Sequence, residues 1–472
     1  MSFNIIKTYL RKNIAYIIPA AAALLILFIF IGRAHSMENF TIKIGVGRSV
    51  SSGKLLGSGL SLRDARGNTV RVSGGASVSS AGSSRIKAGG HTLSLPVSVS
   101  ASQGLGWNET RYRGTLGIIA AGGAFTVVNT LPVEDYLRGV LKIEMNDTWP
   151  MEALKAQAIL ARTYAARNKG RFAKNGYDLD DTTNSQAYRG VNAETPRTDM
   201  AVSDTRGQVL TWNGSLADVY FHSDSGGATA DMGDVWGGAA PYLKPQREKF
   251  GYTSPYSSWR LVLTPAQVAS VLRKIGKDVG SVSSVEVGTV DPHGRVVLLR
   301  IRGSKGTAAV RSHEFRTAVG SNALRSTVFT INGSAAGSAS LASVPEKKTQ
   351  QTSVAASGGD TFLTLLRSDV FSTDELMDLL KNPQKREEYI KTGLDRLEKG
   401  LTKTKKNDAP ETRNAPAPAN NTPPPSSGFV FTGRGWGHGV GLSQWGAKTM
   451  ADNGMNCESI LAHYFQGTRV AR

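Results

Sequence analysis

The sequence contains a single cysteine, Cys457, in 472 residues. Intramolecular disulfides are thereby excluded, as is a thiolate-rich zinc site, so the fold must be held by its core. Aromatic residues are sparse at 7 %, while glycine is abundant at 52 residues. That balance favours a turn-rich, β-containing architecture over a helical bundle. Acidic residues are outnumbered, 37 Asp and Glu against 56 Lys and Arg, for a net charge of +19. Such a chain suits a polyanion, whether nucleic acid, anionic lipid or cell-wall polymer. Long apolar runs are lacking except for one, the nineteen uncharged residues Ile14–Gly32. This matches the roughly 20 residues of helix that cross a hydrocarbon core. Lys7, Arg11 and Lys12 precede it and only Arg33 follows closely, so residues 1–13 are expected in the cytoplasm and the rest outside. A cleaved signal peptide is the competing reading, with Ala34-His35-Ser36 as the small-residue site. Either way the bulk is exported, which argues against nucleic acid as a partner.

From Phe40 to about Leu131, short alternating apolar stretches broken by Gly and Ser predict β-strands: TIKIGV, LSLRD, TVRVSG, HTLSLPVSV, GTLGII and FTVVNT. The period then becomes helical over 131–143. A second helix is predicted from Pro150 to about Asn168, rich in alanine, poor in charge and therefore buried. Strands return at QVLTW, ADVYFHS, VSSVEVGTV, VVLLRIRG and STVFTI, with a short helix at 264–275. Residues 332–427 form an insert in which Gly/Ala/Ser-rich and Pro/Asn-rich tethers flank a charged helical block. Inside it, Ser372 and Glu375 make a capping-box pattern, and a further helix starts near Pro383. Between 335 and 426 there are 13 basic and 12 acidic residues, so the basic charge belongs to the main domain. Residues 428–472 resume with a strand, a glycine-dense turn and two helices. The predicted class is α+β: a mostly β exported domain, residues 38–331 and 428–472 with its N-terminal β region at 38–131, and an alanine-rich helix pair beside a cleft.

Three segments hold the candidate chemistry: VEDYLRGVLKIEMNDTWP with the helix after it; DDTTNSQAYRG with VYFHSDSGG; and GRGWGHGVGLSQWG. Glu144 sits where the two helices meet, with Ile143, Met145 and Trp149 as apolar neighbours. Glu134, Asp135 and Glu152 lie in first helical turns, where acids complement the dipole. Arg162 interrupts an apolar helix, so it must be paired: with Glu144, with substrate, or in an internal salt bridge. Gln186 and Tyr188 could bond sugar hydroxyls, core packing being the plainer role for Tyr188. His222, Ser223, Asp224 and Ser225 are too close in sequence to form a relay among themselves, because strand neighbours point to opposite faces. A polar loop lining a cleft suits them better. Trp436 and Trp445 are suited to stacking on sugar rings, and His438, Ser443 and Gln444 to bonding their edges. The five glycines from Gly433 to Gly441 allow tight turns and close approach of a ligand.

Together with RYRG at 111–114, these motifs in this order resemble the SpoIID/LytB family of stage II sporulation protein D and related amidase enhancers, over Phe40 to Arg472 apart from the insert. The resemblance implies a peptidoglycan lytic transglycosylase with Glu144 as the catalytic acid. The residue chemistry adds Arg162, Gln186, Tyr188, His222, Ser223, Ser225, Trp436, His438, Ser443 and Gln444 as candidate substrate contacts. The substrate would be glycan stripped of stem peptides, cut between N-acetylmuramic acid and N-acetylglucosamine. No cofactor is implied. Some relatives place zinc near the His222 segment through His and Cys; the cysteines are missing here, which leaves only a His/Asp set of His222, Asp224, Asp231 and Asp234 to consider. The alternative is a binding module that enhances a cell-wall amidase.

Overall fold

The computed structural model describes residues 40–252, 254–332, 387–389, 391–392, 395 and 428–472. The apolar run at 14–32 and the capping-box pattern at 372–375 lie outside them. Among the described residues no helix is long and apolar enough to cross a membrane. By its internal contacts the chain divides into two units, Met1–Leu341 with Thr422–Arg472, and Ala342–Asn421. In the second unit, the described residues between 387 and 395 are helical, within the block where a helix after Pro383 is expected.

The first unit opens with strands β1 (Thr41–Val50), β2 (Ser52–Ser58), β3 (Leu60–Arg63), β4 (Thr69–Val72), β5 (Ala76–Ser80) and β6 (Arg85–Ala88). Six more follow: β7 (His91–Ser94), β8 (Val97–Ser100), β9 (Gln103–Trp107), β10 (Thr110–Arg111), β11 (Thr115–Ala121) and β12 (Ala124–Pro132). With β13 (Leu179–Asp180) they make a seven-stranded sheet, β13-β1-β12-β11-β8-β3-β4, and a six-stranded one, β10-β9-β2-β5-β6-β7. Alternation places Leu55, Val78 and Ile86 of one sheet and Leu62, Val99 and Ile118 of the other in one core. The edge of Trp107 on β9 meets Phe125 on β12 at 5.8 Å. The run HTLSLPVSV, expected as one strand, breaks at Pro96 into β7 and β8, which join different sheets. Strands β2, β5, β6 and β9 went unpredicted because their Gly, Ser and Lys residues mask the alternation.

Helix α1 (Val133–Glu144) and helix α2 (Met151–Arg167) pack on this core. Ala153, Ala156, Ala158, Ala161 and Ala165 are fully buried, as the sequence predicts. Pro150 is the N-cap of α2. Helix α3 (Pro196–Asp204) was not expected; it is opened by Thr195, whose side chain and that of Thr198 cap each other's backbone. Short α4 (Met232–Trp236) follows.

A second core is built on helix α5 (Pro265–Lys274), the antiparallel strands Val282–Val290, Val296–Gly303 and Gly306–Arg311, and helix α6 (Ser312–Val319). The reading of ADVYFHS as a long strand is corrected: only Phe221–His222 pairs. Phe329–Ile331 and Phe429–Gly433 are antiparallel partners, Ile331 opposite Phe431, so residues 333–427 enter and leave at the tip of a hairpin. Helices α7 (Gln444–Asp452, N-capped by Ser443) and α8 (Cys457–Tyr464) then return to the first core and contact α2.

Candidate functional site

Helix α1 stops at Glu144 because Met145 turns to extended backbone. The carboxyl is therefore held at the negative end of the helix dipole, which disfavours its charge. It is half-buried, and burial pushes its pKa up to about 7, opposed by one hydrogen bond from the Ala187 N–H to Oε1 at 3.3 Å. Met145 is buried as expected, but Ile143 is 45 % exposed and adds nothing to the apolar surroundings.

The segment over the carboxyl is fixed by Tyr188. Its ring packs against Tyr136 of α1 (5.0 Å) and Tyr112 of the RYRG motif (5.8 Å), and its hydroxyl donates to Asn129 Oδ1 at 2.8 Å. Gly139 makes room: a Cβ there would lie 2.4 Å from the Tyr188 ring. The Arg189 N–H donates to Gly139 O, tying the segment to α1. Tyr188 is thus a core anchor that positions Gln186 and Ala187. Gln186 is buried, accepts the Tyr136 hydroxyl at 3.3 Å, and keeps its Nε2 without a partner.

The two other motifs interlock. Phe221–His222 pairs in parallel with Leu442–Ser443, and Asp224 bridges Trp436. The expected tight turns form, with Gly435, Gly437, Gly439 and Gly441 at positive φ, but the chain itself makes the close approach: a Cβ at Gly437 would sit 2.5 Å from His222 Cβ, and one at Gly441 2.2 Å from Tyr220 O. His222 is 5 % exposed and its Nδ1 faces Val440 O at 3.2 Å, which places the proton on Nδ1 and leaves Nε2 unpartnered. His438 Nδ1 accepts the Val440 N–H at 3.1 Å, and burial pushes its pKa down to about 3, so both imidazoles are neutral. Trp436 stands edge-on to Tyr256 at 4.6 Å under the Arg325 guanidinium. Ser443 caps α7 through the Gly446 N–H and also accepts the Ser225 N–H, while Gln444 is buried. The Trp445 N–H donates to Ser223 O, and its ring meets Trp149 at 5.0 Å, joining this wall to the turn after α1.

Arg162 does not reach Glu144. Fully buried, it makes a bidentate pair with Glu134 (2.8 and 2.7 Å) and donates to Gln208 O and Val202 O. Glu134, read from the sequence as a first-turn acid that complements the helix dipole, is 4 % exposed and is its counter-ion. Ser225 is also internal: its hydroxyl donates to Glu248 Oε1 at 2.5 Å, while Tyr464 donates to Glu248 Oε2 at 2.7 Å. Glu248 was missed because it lies in a charged stretch, KPQREKF, without periodicity. Asp224 has both oxygens engaged by the Gly226 N–H, Tyr252 and Ser254, and Asp231 caps Gly233. Among the described residues no group of three His, Cys, Asp or Glu could hold a metal.

The sequence is similar to that of several known proteins. The profile described as SpoIID, stage II sporulation protein, matches residues 121–212, which include Glu144, Gln186 and Tyr188. Stage II sporulation protein D of Bacillus subtilis is 26 % identical over 359 residues, 73 % of this chain and 76 % of that protein. The amidase enhancer of B. subtilis is 28 % identical over 335 residues, 70 % of this chain but only 40 % of that protein. An uncharacterized protein of Brachyspira hyodysenteriae is 26 % identical over 364 residues, covering 77 % and 73 %.

Proposed function

We propose that this chain, a member of the SpoIID/LytB family, acts on the bacterial cell wall as a lytic transglycosylase with Glu144 as its single acid–base group. The observation that carries the reading is the half-buried carboxyl at the end of α1, with a pKa near 7 and one backbone donor. A group so poised is populated in both protonation states at neutral pH, as a residue that donates and then accepts a proton requires. Protonated Glu144 delivers its proton to the glycosidic oxygen as that oxygen leaves C1 of N-acetylmuramic acid. The 6-hydroxyl of the same sugar attacks C1, and its proton returns to Glu144. One C–O bond breaks, one forms, and no water is consumed, so the second carboxylate of ordinary glycosidases is unnecessary. Trp436 and Trp445 are the proposed substrate contacts, and Gln186, whose Nε2 is buried, is proposed to position the segment over Glu144. The apolar run at 14–32 is proposed to anchor the domain outside the membrane.

Incubation of wild type and Glu144→Gln with peptide-free glycan tests this: mass spectrometry should find 1,6-anhydro ends from wild type only. Their absence from the wild-type digest would remove the enzyme reading. The likeness to an amidase enhancer supports a second reading, a module that stimulates a wall amidase without cleaving. In that case both proteins would accelerate a co-added amidase equally.

A further inference from the structure

Residues 41–132, the twelve strands and their connections, carry ten Lys and Arg but only two acids, Asp64 and Glu109. The outer face of the six-stranded sheet concentrates this imbalance. Leu55 on β2, Val78 on β5, Ile86 on β6 and Leu93 on β7 point into the core, so their strand neighbours point out. Those neighbours are Lys54 and the half-buried Leu56, Ser77 and Ser79, Arg85 and Lys87, and Thr92 and Ser94. The register sets them in rows: Lys54 opposite Ser77, Ser79 opposite Lys87, Lys87 opposite Thr92, and Arg85 opposite Ser94. At the other edge the Arg111 side chain runs beside Gly104, its Nε 4.0 Å from where a Cβ would be. No strand of this sheet contains Asp or Glu. Arg48 and Arg113, elsewhere in the region, are in ion pairs; none is formed by these four cations among the described residues.

We propose that this face binds a linear polyol phosphodiester, an anionic wall polymer, along Arg111, Lys54, Lys87 and Arg85. Lys87 and Arg85 are about 7 Å apart along β6, and Lys54 is separated from β6 by two strand spacings, roughly 10 Å. The cations thus form a track across the sheet, which suits a flexible chain of repeating charges. The intervening hydroxyls offer both donors and acceptors to polyol oxygens. A single-stranded nucleic acid is a poorer match, because it needs aromatic platforms for its bases. None of the exposed large apolar side chains, Ile143, Val191, Met200, Trp236 and Val290, lies on this sheet. The inference does not depend on Glu144, whose site contains none of the four cations.

The test is anisotropy of end-labelled poly(glycerol phosphate) with the full chain, its quadruple variant K54Q/R85Q/K87Q/R111Q, and a control, R273Q/K274Q/R300Q/R302Q, that removes as many charges from the second core's surface. With four phosphates neutralised, wild-type affinity should fall roughly 50-fold between 50 and 200 mM salt, by the counterion release known for single strands. The quadruple variant should bind at least about tenfold more weakly at the lower salt and lose most of the salt slope. Equal binding by wild type and quadruple variant, or an equal loss in the control, would overturn the assignment. So would phosphatidylglycerol-rich vesicles bound through the same four residues as tightly as the polymer, which would make the face a lipid surface.

Discussion

Replacing Glu144 by glutamine should stabilise the protein, and only where the carboxyl would be charged. The native pKa of about 7 stands above the ordinary 4.5, so the folded state holds this proton more tightly than the unfolded chain. Stability from this group is therefore fully present below pH 4.5 and is lost as pH rises to about 7. At 1.36 kcal/mol per pH unit the gap is worth up to ~3 kcal/mol. The carboxyl is only half-buried, and solvent screening reduces this to about 1–3 kcal/mol. Glutamine keeps the shape and an acceptor for the Ala187 N–H but never ionises. Denaturant unfolding of wild type and Glu144→Gln at pH 4 and pH 8 is the assay. Comparing the two proteins at each pH cancels the other titrating groups, including Glu248 and the histidines. The variant should match wild type within about 0.5 kcal/mol at pH 4 and exceed it by about 1–3 kcal/mol at pH 8. The same small difference at both values would show that Glu144 is solvated like a surface acid. The desolvation argument for catalysis would go with it.

Activity should follow the same proton: kcat/KM for anhydro-end formation should fall about tenfold per pH unit above pH ~7, where Glu144 loses the proton it donates. Arg162→Met should cost about 3–5 kcal/mol in chemical denaturation, because it strands Glu134 as a buried charge, and the double change with Glu134→Leu should recover most of that. Tyr188→Phe leaves the Asn129 acceptor without its donor and should cost about 1–3 kcal/mol while kcat changes little at temperatures where the fold persists. Replacing residues 333–427 with a short Asn-Gly turn should leave stability unchanged or raise it by up to ~3 kcal/mol, read in the same denaturation experiment.

The sequence discloses the elements whose burial pattern repeats along one strand or helix. Alternation in TIKIGV and the alanine stripe of α2 each report a single buried face, and both elements form where predicted. Partners are a different matter, because they are set by residues distant in the chain. Arg162 announces that it must be paired, but Glu134 lies 28 residues away and looks like any acid in a first helical turn. Gly437 and Gly441 announce close approach without saying of what; His222 and Tyr220 fill the space a ligand was expected to use. Glu248 gives no local signal, since its three-way network with Ser225 and Tyr464 exists only after three distant segments meet.

The insert shows how such long-range pairing constrains what the sequence can vary. Two motifs more than 200 residues apart are zipped together by Phe221–His222 against Leu442–Ser443, so the segment after the insert must return to a fixed place. The insertion enters where that return costs least. Ile331 and Phe431 are already cross-strand partners, and Asn332 closes the tip, its N–H donating to Val430 O and its Oδ1 accepting the Val430 N–H. Lengthening a closed loop costs about 0.6 kcal/mol per doubling, so extending a four-residue turn to this length costs only ~3 kcal/mol. Insertion inside β12 or α1 would instead separate Asn129 from Tyr188, or Glu144 from the Ala187 N–H, and remove the positioning of the carboxyl itself. The hairpin tip therefore accepts a long segment without breaking the pairings that position Glu144, the residue on which the proposed chemistry rests.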